Sequence, residues 1–152
     1  MQKLFVGAAL VLTLALAGCA GPGASRAQTA PKPASGAASA VGQAAPGPFT
    51  PNGEASASSG KVTLQLTDDM KYSPNVIKAK AGQTVSVELK NAGATVHDFY
   101  SPALGVGTPV RASAGQGATA TFTAPAQPGT YAFWCNEPGH AAAGMTGQVV
   151  VE

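Results

Sequence analysis

The carboxy-terminal part of this 152-residue chain, Gly60 to Glu152, predicts an all-β domain built as a two-sheet sandwich. Apolar residues alternate with polar ones in short runs, and no stretch carries them at the spacing of an amphipathic helix. Gly, Pro, Asn and Asp interrupt the chain about every ten residues, as turns between short strands require. Roughly 90 residues are enough for one compact core and not for two, so a single domain is expected.

Lys61 to Thr67 opens the series, with Val62, Leu64 and Leu66 on one face. Val76 to Ala79 makes a short strand after Pro74 and before the Ala81-Gly82 turn. Thr84 to Leu89 alternates again and presents Val85, Val87 and Leu89 to a core. Thr95 to Tyr100, Ala118 to Thr123, Gly129 to Trp134 and Gly147 to Val151 complete a set of about seven strands, the number expected of a sandwich. Ser101 to Gly117 is rich in Gly, Pro and Ala and is expected to be a crossover loop with a short helical turn. Tyr131, Phe133, Trp134 and Phe122 read as core and sheet residues.

Two segments precede the domain. Residues 1–18 read as a signal peptide, with Lys3 followed by an apolar run from Leu4 to Leu16 that is too short to span a bilayer stably. Leu16-Ala17-Gly18-Cys19 resembles the lipobox of bacterial lipoproteins, which implies that Cys19 carries a diacylglycerol anchor to a membrane. An ordinary secretory signal cut between Ala20 and Gly23 is the alternative. Residues 19–59 are rich in Ala, Gly, Pro and Ser and cannot bury enough surface to offset ordering entropy, so they read as a disordered, flexible tether. Its random-coil reach is about 35 Å, enough for a membrane-anchored domain to swing between partners or to cross an envelope layer.

Chemistry concentrates in His97, Cys135, His140 and Met145. One thiolate, two imidazoles and a thioether form the set that holds a single copper ion for electron transfer. Four residues separate Cys135 from His140, and four more separate His140 from Met145. His97 lies far upstream, where a neighbouring strand supplies it. The chain has 2 cysteines and 2 histidines, so with Cys19 otherwise explained, Cys135 is a lone thiol. In an exported protein such a thiol needs a protecting role, and metal ligation is one. Taken singly, each of these residues is ordinary core packing; it is their joint spacing and flanking strands that point to a metal. Zinc or nickel could occupy the same ligands.

Further segments carry a family likeness. Lys71-Tyr72-Ser73-Pro74-Asn75, Ala81-Gly82-Gln83-Thr84-Val85, Asn91-Ala92-Gly93, Val96-His97-Asp98-Phe99 and Tyr131-Ala132-Phe133-Trp134 run in order into the ligand loop. With that loop, residues 60–152 resemble the cupredoxins, the Greek-key sandwiches that include plastocyanin, azurin and auracyanin and hold type 1 blue copper. The spacing within the loop is more similar to auracyanin than to plastocyanin. The resemblance implies that the Asp98 backbone N–H donates to the Cys135 sulfur and tunes its potential. The family more often has Asn at this position, so an acid there is expected to alter the hydrogen bond between ligand loops, with Asn136 as a candidate for a second tie. His140 lies in the loop and not in a strand, so its ring edge is the expected point of electron entry or exit. Pro138, Gly139 and Ala141 to Ala143, with Pro102 to Leu104 beside them, are expected to form an apolar docking patch for redox partner proteins.

Charge narrows the remaining classes. The chain's net charge is +2, all of it outside residues 60–152, and no basic stripe exists to neutralise nucleic-acid phosphates. Cys135 with His140 lacks a third orienting group for a thiol nucleophile, and no histidines remain for a second copper centre, so an enzyme is not expected. Copper trafficking or storage is the rival function, disfavoured because the domain holds only Met70 and Met145 as thioethers. The expectation is a monomeric, lipid-anchored one-electron carrier in the periplasm or cell envelope.

Overall fold

A computed structural model describes residues 43–152. The expected signal peptide, Cys19 and residues 20–42 lie outside the described residues. Ten strands form in order: β1 (Glu54–Ser56), β2 (Lys61–Thr67), β3 (Lys71–Ser73), β4 (Val76–Ala79), β5 (Thr84–Asn91), β6 (His97–Ser101), β7 (Val106–Ala112), β8 (Gly117–Thr123), β9 (Gly129–Trp134) and β10 (Thr146–Val151). One sheet runs β1-β4-β10-β9-β6-β7 and the other β3-β2-β5-β8. The all-β, two-sheet expectation is met.

The inner faces are those that alternation picked out. Val62, Leu64 and Leu66 of β2 are buried with Val85, Val87 and Leu89 of β5, while the residues between them face solvent. These two strands pair in parallel, with Leu64 opposite Leu89, and β8 joins antiparallel with Phe122 opposite Val85. The facing sheet contributes Ile77, Phe99, Tyr131, Phe133, Val149 and Val151 to the same core. Phe133 is its centre, stacked on Phe99 at 4.7 Å between ring centroids and met edge-on by Tyr72 at 5.1 Å. Such aromatic pairs add about 1 kcal/mol each beyond the area they bury.

Two expectations are corrected. Residues 54–56, placed in the tether, form β1 and pair in parallel with β4. The chain just before it is held as well: the Asn52 N–H donates to Asn75 Oδ1 at 2.6 Å, and Asn75 Nδ2 donates to the Thr50 carbonyl at 2.9 Å. Folded structure therefore begins upstream of residue 60. Backbone groups docking on an open sheet edge need no large apolar side chains, so composition does not reveal them. The second correction lies in Ser101 to Gly117, where a 3-10 turn over Pro102–Leu104 is followed not by loop but by β7. Gly107 and Pro109 conceal that strand in the sequence, and its place at a sheet edge is what lets it tolerate them.

Gly147 sits opposite Phe133 in the β9-β10 register, and a Cβ there would overlap the Phe133 ring. Because Tyr72 and Phe99 hold that ring, it cannot move aside cheaply. Gly147→Ala is expected to cost about 2 kcal/mol, read as a lower urea midpoint. Gly107→Ala, where an added Cβ meets nothing, should change the midpoint by less than about 0.5 kcal/mol.

Candidate metal centre

Cys135 follows the last residue of β9 and Met145 precedes the first of β10, so strand pairing closes the loop between them. Trp134 stands opposite Thr146 in the ladder, and the Cys135 N–H donates to the Met145 carbonyl at 3.1 Å. Inside the loop the Met145 N–H donates to the His140 carbonyl at 3.0 Å, and the His140 N–H to the Glu137 carbonyl at 3.1 Å. Gly139 and Gly144 adopt φ of 82° and 105°, left-handed values that let the chain turn this tightly. His97 enters from the start of β6.

Together these elements bring His97, Cys135 and His140 into one cluster whose ligand atoms all lie within 4.8 Å of one another. His97 Nδ1 is 3.2 Å from His140 Nδ1, which is 3.4 Å from Cys135 Sγ. Nitrogens each about 2.0 Å from a shared ion stand roughly 3.2 to 3.6 Å apart, so the spacing fits metal ligation. Met145 is fully buried, belongs to the same core cluster as Cys135, and is tied to it by the backbone bond above. His97 and Cys135 are also sealed from solvent, whereas the His140 ring is half-buried at the surface.

Electrostatics suit a neutral, waiting ligand set. Burial lowers the pKa of His97, and the neighbouring His140 ring adds to the effect, which favours the uncharged imidazole that binds metal. Burial also pushes the Cys135 thiol up to about 11, against the backbone N–H groups of Glu137 and Asp98 that hold it down.

Asp98 ties the two ligand segments together. Its N–H donates to Cys135 Sγ at 3.4 Å, as the family likeness implies, and its Oδ1 accepts from the Asn136 N–H at 2.8 Å. The acid therefore makes the loop-to-loop bond itself. Asn136, the candidate for a second tie, takes part in that bond through its main-chain N–H. Tyr72 donates its hydroxyl to the Asp98 carbonyl and so fixes the backbone from the core side. Burial raises the pKa of the Asp98 carboxyl, and its Oδ2 has no partner among the described residues.

Several neighbours of the site escaped sequence reasoning. Glu137, in the ligand loop, is largely buried and pairs with Arg111 of β7 at 2.9 Å. Leu104 is a core residue at 6% exposure and not part of an open patch, while Pro138, Gly139, Ala142 and Ala143 do face solvent. Pro46 lines a shallow hollow with Cys135, Asn136 and Ala142, and Pro48 accepts a 2.7 Å bond from the Thr146 hydroxyl. Asp68 and Thr95 stand behind His97. The Asp68 carboxylate accepts from the Ala94 N–H at 2.8 Å, from the Thr95 N–H at 3.1 Å and from the Thr95 hydroxyl at 2.8 Å. Those bonds, the Ala94 N–H first, lower its pKa to about 2.

The sequence profile of the cupredoxin-like domain matches residues 37–151. The chain belongs to the cupredoxin-like family. It is 28% identical over 124 residues to the copper-resistant cuproprotein CopI of Rubrivivax gelatinosus, covering 68% of this chain and 73% of that protein. Sodium-dithionite-reduced auracyanin from Roseiflexus castenholzii superposes with a TM-score of 0.52 and 27% identity, covering 61% of this chain and 97% of that one. Auracyanin A of Chloroflexus aurantiacus, a blue copper protein, gives 0.52 and 22% identity over 66% of this chain and 100% of its own, and shares the fold. Among the described residues, no helix of this cupredoxin-like chain is long and apolar enough to cross a membrane.

A thiol with a pKa of about 11 is protonated in the metal-free protein at neutral pH, and a metal takes the thiolate. Binding should therefore release a proton from Cys135, and apparent affinity should rise about tenfold per pH unit below that pKa. Calorimetry in buffers of different ionisation enthalpy counts the proton; the Cys135→Ala variant should lose it.

Proposed function

We propose that this chain is a one-electron carrier outside the cytoplasm, holding one type 1 copper ion with His97, Cys135, His140 and Met145. The observation that carries this is the buried cluster of one thiol and two imidazoles within 4.8 Å, set in a cupredoxin-like frame. Copper, when bound, supplies a one-electron couple. The protein's part is to hold the ligands still: β6 carries His97, the closed loop carries the other three, and Asp98 joins the two segments. A frame that cannot relax toward the geometry preferred by either oxidation state keeps reorganisation small. The Asp98 N–H on Cys135 Sγ supports tuning of the potential by withdrawing charge from the sulfur.

The half-buried His140 ring is the route for electrons, and the exposed small residues Pro138, Gly139, Ala142 and Ala143 around it form a docking face for brief encounters with redox partner proteins. A monomer tethered to a membrane through lipidated Cys19 completes the proposal. Copper handling for resistance is the second reading, favoured by the similarity to CopI. Two of the three clustered ligands are sealed from solvent, and that supports a retained ion over one handed on.

The oxidised protein with Cu(II) should show an intense thiolate charge-transfer band at about 600 nm that Cys135→Ser abolishes. Voltammetry should give a reversible one-electron wave with the copper retained through both states. A colourless product, or rapid loss of Cu(I) to a weak chelator, would overturn the carrier function. Replacing Ala142 with Glu should slow oxidation of the partner several-fold and leave the blue band unchanged; an unaltered rate would remove that face from docking.

A further inference from the structure

His97 has two ring nitrogens, and what stands behind the ring decides which one faces the metal. Nδ1 points into the cluster, 3.2 Å from His140 Nδ1. Nε2 lies 3.2 Å from the Thr95 hydroxyl and 3.7 Å from Asp68 Oδ1, the second distance being too long for a hydrogen bond. The Thr95 hydroxyl is in turn 2.8 Å from Asp68 Oδ1. A carboxylate only accepts, so the Thr95 O–H must donate to Asp68. That leaves the hydroxyl lone pairs toward His97, and the bond is made only if Nε2 carries the proton. Nδ1 is then the bare nitrogen, the form a ligand needs.

The surroundings are built around this carboxylate. Asp68 lies in the turn between β2 and β3 and reaches across to the loop before β6, where it also accepts the Ala94 and Thr95 N–H groups. A Cβ at Gly93 would collide with the Asp68 carboxylate, so glycine is required for that approach. Asn91 braces the same loop, with Nδ2 donating to the Thr95 carbonyl at 2.8 Å and to Ala112 at 2.9 Å, and Oδ1 accepting from Gly93 at 2.9 Å.

We infer that Asp68 and Thr95 are positioning residues for the metal centre: a carboxylate-hydroxyl relay that fixes the tautomer and tilt of His97 and places a negative charge behind it. The relay makes His97 a better donor to Cu(II) than an unsupported ring would be. It favours the more highly charged oxidation state and so lowers the reduction potential.

Thr95→Val removes the hydroxyl and keeps the shape, Asp68→Asn removes the charge, and Thr95→Ser is the conservative control. In the metal-free protein, nitrogen-15 NMR of His97 should show a protonated Nε2 protected from exchange, and Thr95→Val should lose that protection while Thr95→Ser keeps it. Cu(II) affinity, measured by competition with a chromophoric chelator, should fall about 10- to 100-fold in Thr95→Val and in Asp68→Asn. Reduction potential should move positive in both and return toward the parent in Thr95→Ser. The shift in potential rests on the electron-carrier function proposed above, whereas the tautomer of the metal-free ring does not. Folded Thr95→Val and Asp68→Asn variants with the parental Nε2 signal and affinity would overturn the relay even if the parent is a reversible carrier. A parent without a reversible wave but with the protected Nε2–H would overturn the carrier and leave the relay standing.

Discussion

Antiparallel pairing of β9 with β10 is the constraint from which the metal centre follows. With Trp134 opposite Thr146, the residues just beyond each strand end, Cys135 and Met145, must lie side by side. The segment between them has to close on itself, and the loop's internal hydrogen bonds fold it so that His140 turns back toward Cys135. The pairing is held by what lies beneath it. Phe133 fills the space that Gly147 leaves open, and Tyr72 and Phe99 clamp its ring from the other sheet and from β6. Core packing thus places Cys135 and Met145 through the strand ends, while the loop's own hydrogen bonds and glycines place His140.

His97 reaches the same point by a different route. It begins β6, whose register with β7 shifts between Phe99 and Ser101, and it is linked to the loop through Asp98. The Asp98 N–H and side chain both reach the ligand loop, the N–H meeting Cys135 Sγ and Oδ1 the Asn136 N–H, while its carbonyl takes the Tyr72 hydroxyl. A single residue thus couples both ligand segments to the core. The price is a buried carboxylate oxygen, Oδ2, without a partner among the described residues.

Two acids beside one histidine show how environment assigns different characters to the same side chain. Asp98 is buried and its carboxyl is harder to ionise. Asp68 sits at the surface in a nest of N–H and O–H donors and stays ionised to well below neutral pH. The sequence places them 30 positions apart, with Asp98 directly after His97 and Asp68 on a turn of the opposite sheet. Residue type alone does not distinguish them.

Alternation made β2, β5 and the core face readable in the chain, because a side-chain period of two is a local property of any strand that is buried on one side. Ligand chemistry was readable too: Cys135, His140 and Met145 lie on one short segment, and only one other histidine exists to join them. What the chain could not disclose is contact made through the backbone or across sheets. β1 docks through main-chain groups whatever its side chains, β7 hides behind Gly107 and Pro109, and Glu137 finds Arg111 only because β7 passes the ligand loop. Asp68 acquires its place behind His97 in the same way. Sequence by itself determined which residues are the candidate metal ligands and which face of each strand is buried, since both depend on residue type and short-range spacing. Tertiary structure alone decided which polar groups meet at the site, because those meetings depend on the packing of two sheets whose strands are distant in the chain.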